Sequence, residues 1–142
     1  MTISLRTPIA KMTEPQREWF AAAMVAMILA DGSVSTNEVE SLMQAISFVK
    51  NPQAVERLKK FVHFQAAPTM TPFHGWEREP KNRAMMLIDL MGVAIADRDF
   101  SPKEREEFHR IGALLGFPDT RVDELIHLGD EFLERMEHGT GG

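Results

Sequence analysis

Two stretches of this chain follow one plan. "WFAAAMVAMILADGSVSTNEVE" (Trp19–Glu40) and "AMMLIDLMGVAIADRDFSPKEREE" (Ala84–Glu107) each run from an apolar segment into an acidic loop and then an amphipathic segment. An offset of 66 residues carries Ala30 onto Ala96, Asp31 onto Asp97, Ser35 onto Ser101, Glu38 onto Glu104 and Glu40 onto Glu106. Val34 then falls on Phe100 and Leu42 on Phe108. A unit of apolar helix, acidic elbow and capped helix cannot bury its apolar face alone, so two copies imply packing against each other. The expected architecture is all-α, a compact bundle of six to seven helices with an internal pseudo-twofold, its apolar helices central.

The rest of the chain supports helices. Apolar residues recur at helical spacing, and Pro, Gly and Asn punctuate between them. Thr13 with Gln16 forms a capping box, and Pro15 fits the first turn of a helix running to about Ala30. Further helices are expected from Ser35 to about Lys50, over Pro52–Ala66, from Pro80 to Ala96, from Ser101 to Leu115, and over Asp119–Glu137. Gly116 suits the left-handed turn that ends the fifth. Residues 67–79, "APTMTPFHGWERE", form the central connection. A chain of 142 residues with 44% hydrophobic content suits one domain, 1–142, with a core over 14–137 and a tail over 138–142.

Composition narrows the function. Without cysteine, disulfides, thiol nucleophiles and zinc–thiolate sites are excluded. The net charge of −5 and the lack of a basic stripe argue against nucleic acid. Both long apolar runs are shorter than the ~20 residues of a membrane span. No signal peptide is visible, and the cytoplasm is the expected location.

The acidic elbows carry two levels of meaning. "STNE" and "SPKE" are capping boxes, each contributing ~1 kcal/mol, with Val34 and Phe100 placed as hydrophobic staples. Capping accounts for Ser35, Glu38, Ser101 and Glu104 but not for Asp31 and Asp97. Those two stand at helix carboxyl ends, where negative charge costs ~0.3–1 kcal/mol. Either each carboxylate accepts loop amides, or a cation offsets it. "DGSVSTNE" matches the second half of an EF-hand loop, yet the earlier ligand positions hold Met27 and Leu29, and in the second copy Val93 and Ile95. A looser oxygen site from Asp31, Glu38, Asp97, Asp99 and Glu104 would take calcium, magnesium or manganese.

"ILADGSVSTNEVESLMQAI" and "IADRDFSPKEREEFHRIGALLG" resemble the paired signatures of the tellurite-resistance TerB-like family, over about residues 14–130. The resemblance implies a single pseudo-symmetric helical domain and a bacterial stress-response role, cytoplasmic or membrane-associated, without enzymatic activity. It also implies metal binding through Asp31, Glu38, Asp97 and Glu104. Arg98 departs from the glycine usual in that signature and sets a cation beside the second loop.

Other residues complete the reading. Phe73 and Trp76 either cover the core edge or, with His74, present an aromatic loop to a protein partner. Asp89 interrupts an apolar helix and is expected to face solvent. Met24, Met27, Met43, Met85, Met86 and Met91 are expected in the core. The mixed charges of Lys103–Arg110 are expected on a solvated face. His63, His109 and the other histidines lack metalloprotease spacing. The expected function is a non-enzymatic interaction module with weak divalent-metal binding. The alternatives are a metal-dependent hydrolase using the same carboxylates and a purely structural partner domain.

Overall fold

The computed structural model describes residues 5–139 apart from 31, 33, 35 and 97–99. Six helices follow a short 3-10 turn at Ile9–Lys11: α1 (Glu14–Leu29), α2 (Thr36–Ser47), α3 (Pro52–Phe64), α4 (Pro80–Ala94), α5 (Pro102–Leu114) and α6 (Asp119–Gly139). No strand occurs among the described residues. The all-α bundle expected from the periodicity is the fold.

Local chemistry sets the helix boundaries. Thr13 Oγ1 accepts from the Gln16 N–H at 3.4 Å, and Gln16 Oε1 accepts from the Thr13 N–H at 2.8 Å, closing the capping box. Asn51 Oδ1 accepts from Gln53 at the start of α3, and Pro52 occupies the first helical position. Gly116 takes φ +92° after α5, and the next N–H, of Phe117, bonds back to the Gly112 carbonyl at 2.9 Å. At the end of α3, Gln65 adopts the left-handed conformation itself, with φ 52°.

Helix α1 is the axis of the bundle. Every residue from Ala23 to Leu29 is buried, as its apolar circumference requires, and α2, α3, α4 and α5 all pack on it. Helix α4 is the second buried rod, packed on α1, α5 and α6. Phe20 stacks on Phe48, and Phe100 meets Phe108 edge to face at 6.4 Å. Phe100 is buried ahead of the α5 cap, with the Arg105 guanidinium 4.6 Å above its ring. Arg105 then makes a two-pronged ion pair with Asp130, fastening α5 to α6.

Three expectations change. Asp89 is buried, 4% exposed, because the N-terminal segment lies over it. Of the methionines expected in the core, Met43 is 61% exposed on α2 and Met85 is only half-buried on α4. The Lys103–Arg110 run is not wholly solvated: Glu104 and Glu107 are buried on the side that faces the bundle.

Candidate functional site

The acidic elbows are described in part. In the second, Ser101 Oγ accepts from the Glu104 N–H at 3.2 Å, and Glu104 Oε1 accepts from the Ser101 N–H at 2.9 Å. The capping box read in "SPKE" is therefore present. In the first elbow Glu38 is buried near the start of α2. Asp31, Asp97 and Asp99 lie outside the described residues, as does Ser35. Among the described residues no three His, Asp or Glu side chains converge as a metal site would need. Glu38 and Glu104 alone do not make the oxygen cage a hard cation requires.

The central connection is held from three sides. The Trp19 indole N–H donates to the Thr71 carbonyl at 2.6 Å, and Gln16 Nε2 donates to the His74 carbonyl at 3.2 Å. Arg83, on α4, donates to the carbonyls of Gly75 at 2.9 Å, Leu115 at 2.7 Å and Phe73 at 3.3 Å. Its guanidinium also stands 5.2 Å over the Phe73 ring. Phe73 is buried against Trp19 and Trp76, Trp76 is half-buried, and His74 is exposed. Gly75 has φ +131°, and a Cβ there would meet Gln16 Nε2 at 2.0 Å. Only glycine fits that turn.

Asp89 forms the third cluster. Its carboxylate accepts from the Arg6 N–H at 3.0 Å, from the Thr7 N–H at 2.8 Å and from the Thr7 hydroxyl. These bonds cross 82 positions of sequence, so no local pattern announces them. The group is a structural latch that ties the N-terminal segment to α4. His109 similarly serves structure: its Nε2 lies 2.8 Å from Asp123 and its Nδ1 3.7 Å from Asp119, both on α6.

Among the described residues, exposed large apolar side chains stand on two helix pairs. On α2 and α3, Val39, Met43 and Phe64 are 49%, 61% and 73% exposed. On α4 and α6, Ile88, Leu128 and Phe132 flank a hollow of about 480 Å³ floored by Met91 and Gly129. A smaller hollow of about 350 Å³, beside Trp19 and Phe61, holds the Glu18–Arg57 pair at 3.9 Å. Sequence periodicity missed the α2–α3 surface, because Val39 and Met43 look like ordinary core positions. The signal that could have found it was the trio Arg57, Lys59 and Lys60 in an otherwise acidic chain.

The molecule is thus a small helical domain whose polar clusters fasten its elements and whose exposed apolar side chains are not covered by other described residues. Its family is the tellurite resistance protein TerB family: the TerB model matches residues 17–127, most of the 142-residue chain, and the chain belongs to it. Comparison with curated proteins and with solved structures finds no match. None of the described helices is long and apolar enough to cross a membrane.

Proposed function

We propose that this chain is a non-catalytic TerB-type docking module, acting in a cytoplasmic stress response of the tellurite-resistance kind. One observation carries the reading: large apolar side chains stand exposed on two helix pairs, Val39, Met43 and Phe64 on α2 and α3, and Ile88, Leu128 and Phe132 on α4 and α6. The chain otherwise buries its apolar residues efficiently, so exposed side chains of this kind mark contact surfaces. The aromatic connection belongs to the same reading through His74 and Trp76. Phe73 is spent in the core and positions them. A divalent cation at the acidic elbows would need Asp31, Asp97 or Asp99 beside Glu38 and Glu104. Calorimetry with calcium, magnesium and manganese on wild type and Asp31→Ala/Glu38→Ala tests that role separately.

Photo-crosslinking in cells tests docking. A benzophenone side chain at position 64 or 132 should give discrete protein adducts, while one at exposed Gln53 or Lys81 should give none. Equal ladders from all four positions, or no adduct from any, would contradict the proposal. Chelator-sensitive turnover of ester or phosphoester substrates would instead favour the hydrolase.

A further inference from the structure

Resting on the docking role, we infer that the α2–α3 face takes an acidic amphipathic segment of a partner protein. The chain has a net charge of −5, yet α3 carries Arg57, Lys59 and Lys60 against Glu56 alone. Lys59 and Lys60 make no ion pair or hydrogen bond among the described residues, and Arg57 reaches only Glu18, at 3.9 Å. Cations left unpaired on an acidic protein raise the local potential and select a partner of opposite sign.

Two hollows of about 310 Å³ flank this helix. One lies between α2 and α3, walled by Val39, Met43, Ile46 and Val62, with Lys59 on its lining. The other is walled by Phe61, Phe64 and Ala66, with Arg57 and Lys60. Each is an apolar recess with its own cation. The two recesses lie on opposite sides of α3, so the pairing fits a segment laid across that helix, its Leu, Ile or Phe anchors entering the recess on either side while neighbouring Asp or Glu side chains reach Lys59 and Lys60. Nucleic acid offers phosphate but no aliphatic anchors. A bilayer could be met by the exposed Met43 and Phe64 but has no use for the recesses beside them, which suit discrete side-chain anchors. The α4–α6 hollow is lined by Arg6 and by Asp89, whose carboxylate already accepts from the Arg6 and Thr7 N–H groups, so it offers one cation where α3 offers three.

A random peptide library displayed on phage, selected against the full chain, is the test. Enriched peptides should combine regularly spaced apolar residues with Asp or Glu, and their affinity should fall as salt is added. Phe64→Ser and the double variant Lys59→Glu/Lys60→Glu should each weaken binding about tenfold or more. All three positions are exposed, so unchanged circular dichroism should confirm that the fold persists. Phe132→Ser should leave affinity unchanged. Basic or uncharged enriched peptides would overturn the inference. Peptides that lose binding through Phe132→Ser and not Phe64→Ser would overturn it too, while sparing the docking role. Capture by phosphatidylglycerol vesicles that Lys59→Glu/Lys60→Glu abolishes, with no peptide enriched, would reassign the face to membrane and overturn it.

Discussion

Removing the Asp89 carboxylate should loosen the N-terminal segment. In the folded chain it accepts from two backbone N–H groups and a hydroxyl, all from Arg6 and Thr7, and both Asp89 and Thr7 are buried. Hydrogen bonds to a charged acceptor are each worth ~1.5–3 kcal/mol, and a donor left buried and unpaired costs ~1–3 kcal/mol. Three bonds at the lower figure sum to about 4–5 kcal/mol. The segment can escape part of that by lifting away and hydrating, which forfeits the packing of Leu5, Ile9 and Met12. Asp89→Ala should therefore cost about 3–4 kcal/mol, with the loss limited by the docking energy of the segment. Urea unfolding measures it, and hydrogen exchange should show residues 5–12 opening first. A double-mutant cycle isolates the latch. In a chain lacking residues 1–8 the carboxylate has no N-terminal donors, and Asp89→Ala should then cost under ~1 kcal/mol. An equal cost in both backgrounds, or a full-length cost below ~1 kcal/mol, would refute the reasoning.

Three further outcomes are expected. Gly75→Ala, forced into a positive-φ turn against Gln16, should lose about 1–3 kcal/mol in urea titration, and Gln16→Ala should restore only the part due to the clash. Arg83→Met should uncap the carbonyls of Phe73, Gly75 and Leu115 and lower stability by about 2–4 kcal/mol, with enhanced proteolysis within residues 67–79. Burial raises the Glu107 carboxyl above its ordinary range, only partly opposed by Arg110 2.9 Å away. The folded state then holds that proton more tightly than the unfolded state, so stability is lost as pH rises from about the ordinary value of 4.5 through the raised one. Glu107→Gln should flatten that part of the stability–pH curve, and an unchanged curve would rule the site out as its cause.

The helices were legible because their ends carry strong local chemistry. Thr13–Gln16, Ser101–Glu104, Asn51–Pro52 and Gly116 each commit the backbone through neighbours within a few residues. Helices α1 and α4 were legible as core for a related reason: an apolar circumference has no stable place in water. That same uniformity hid Asp89, since a rod without a polar face does not reveal which side meets an N-terminal segment 82 positions away. Met43 misled because periodicity marks a residue as apolar without saying whether a neighbouring helix arrives to cover it. The burial of Glu104 and Glu107 was obscured by the charge of the whole run Lys103–Arg110, of which one side faces the bundle. At the candidate sites, the second elbow's cap was readable, and the recesses beside α3 were not, because a recess exists only after α2 and α3 are assembled.

Amide correlation spectra of the full chain, titrated with a partner segment recovered by crosslinking, test the docking role most directly. Shifts confined to residues in one apolar cluster, most strongly around Met43, Lys60 and Phe64, with the segment recovered chemically intact, are the predicted result. Shifts centred on the two acidic elbows with both clusters unmoved, or a segment returned cleaved or modified, would contradict it.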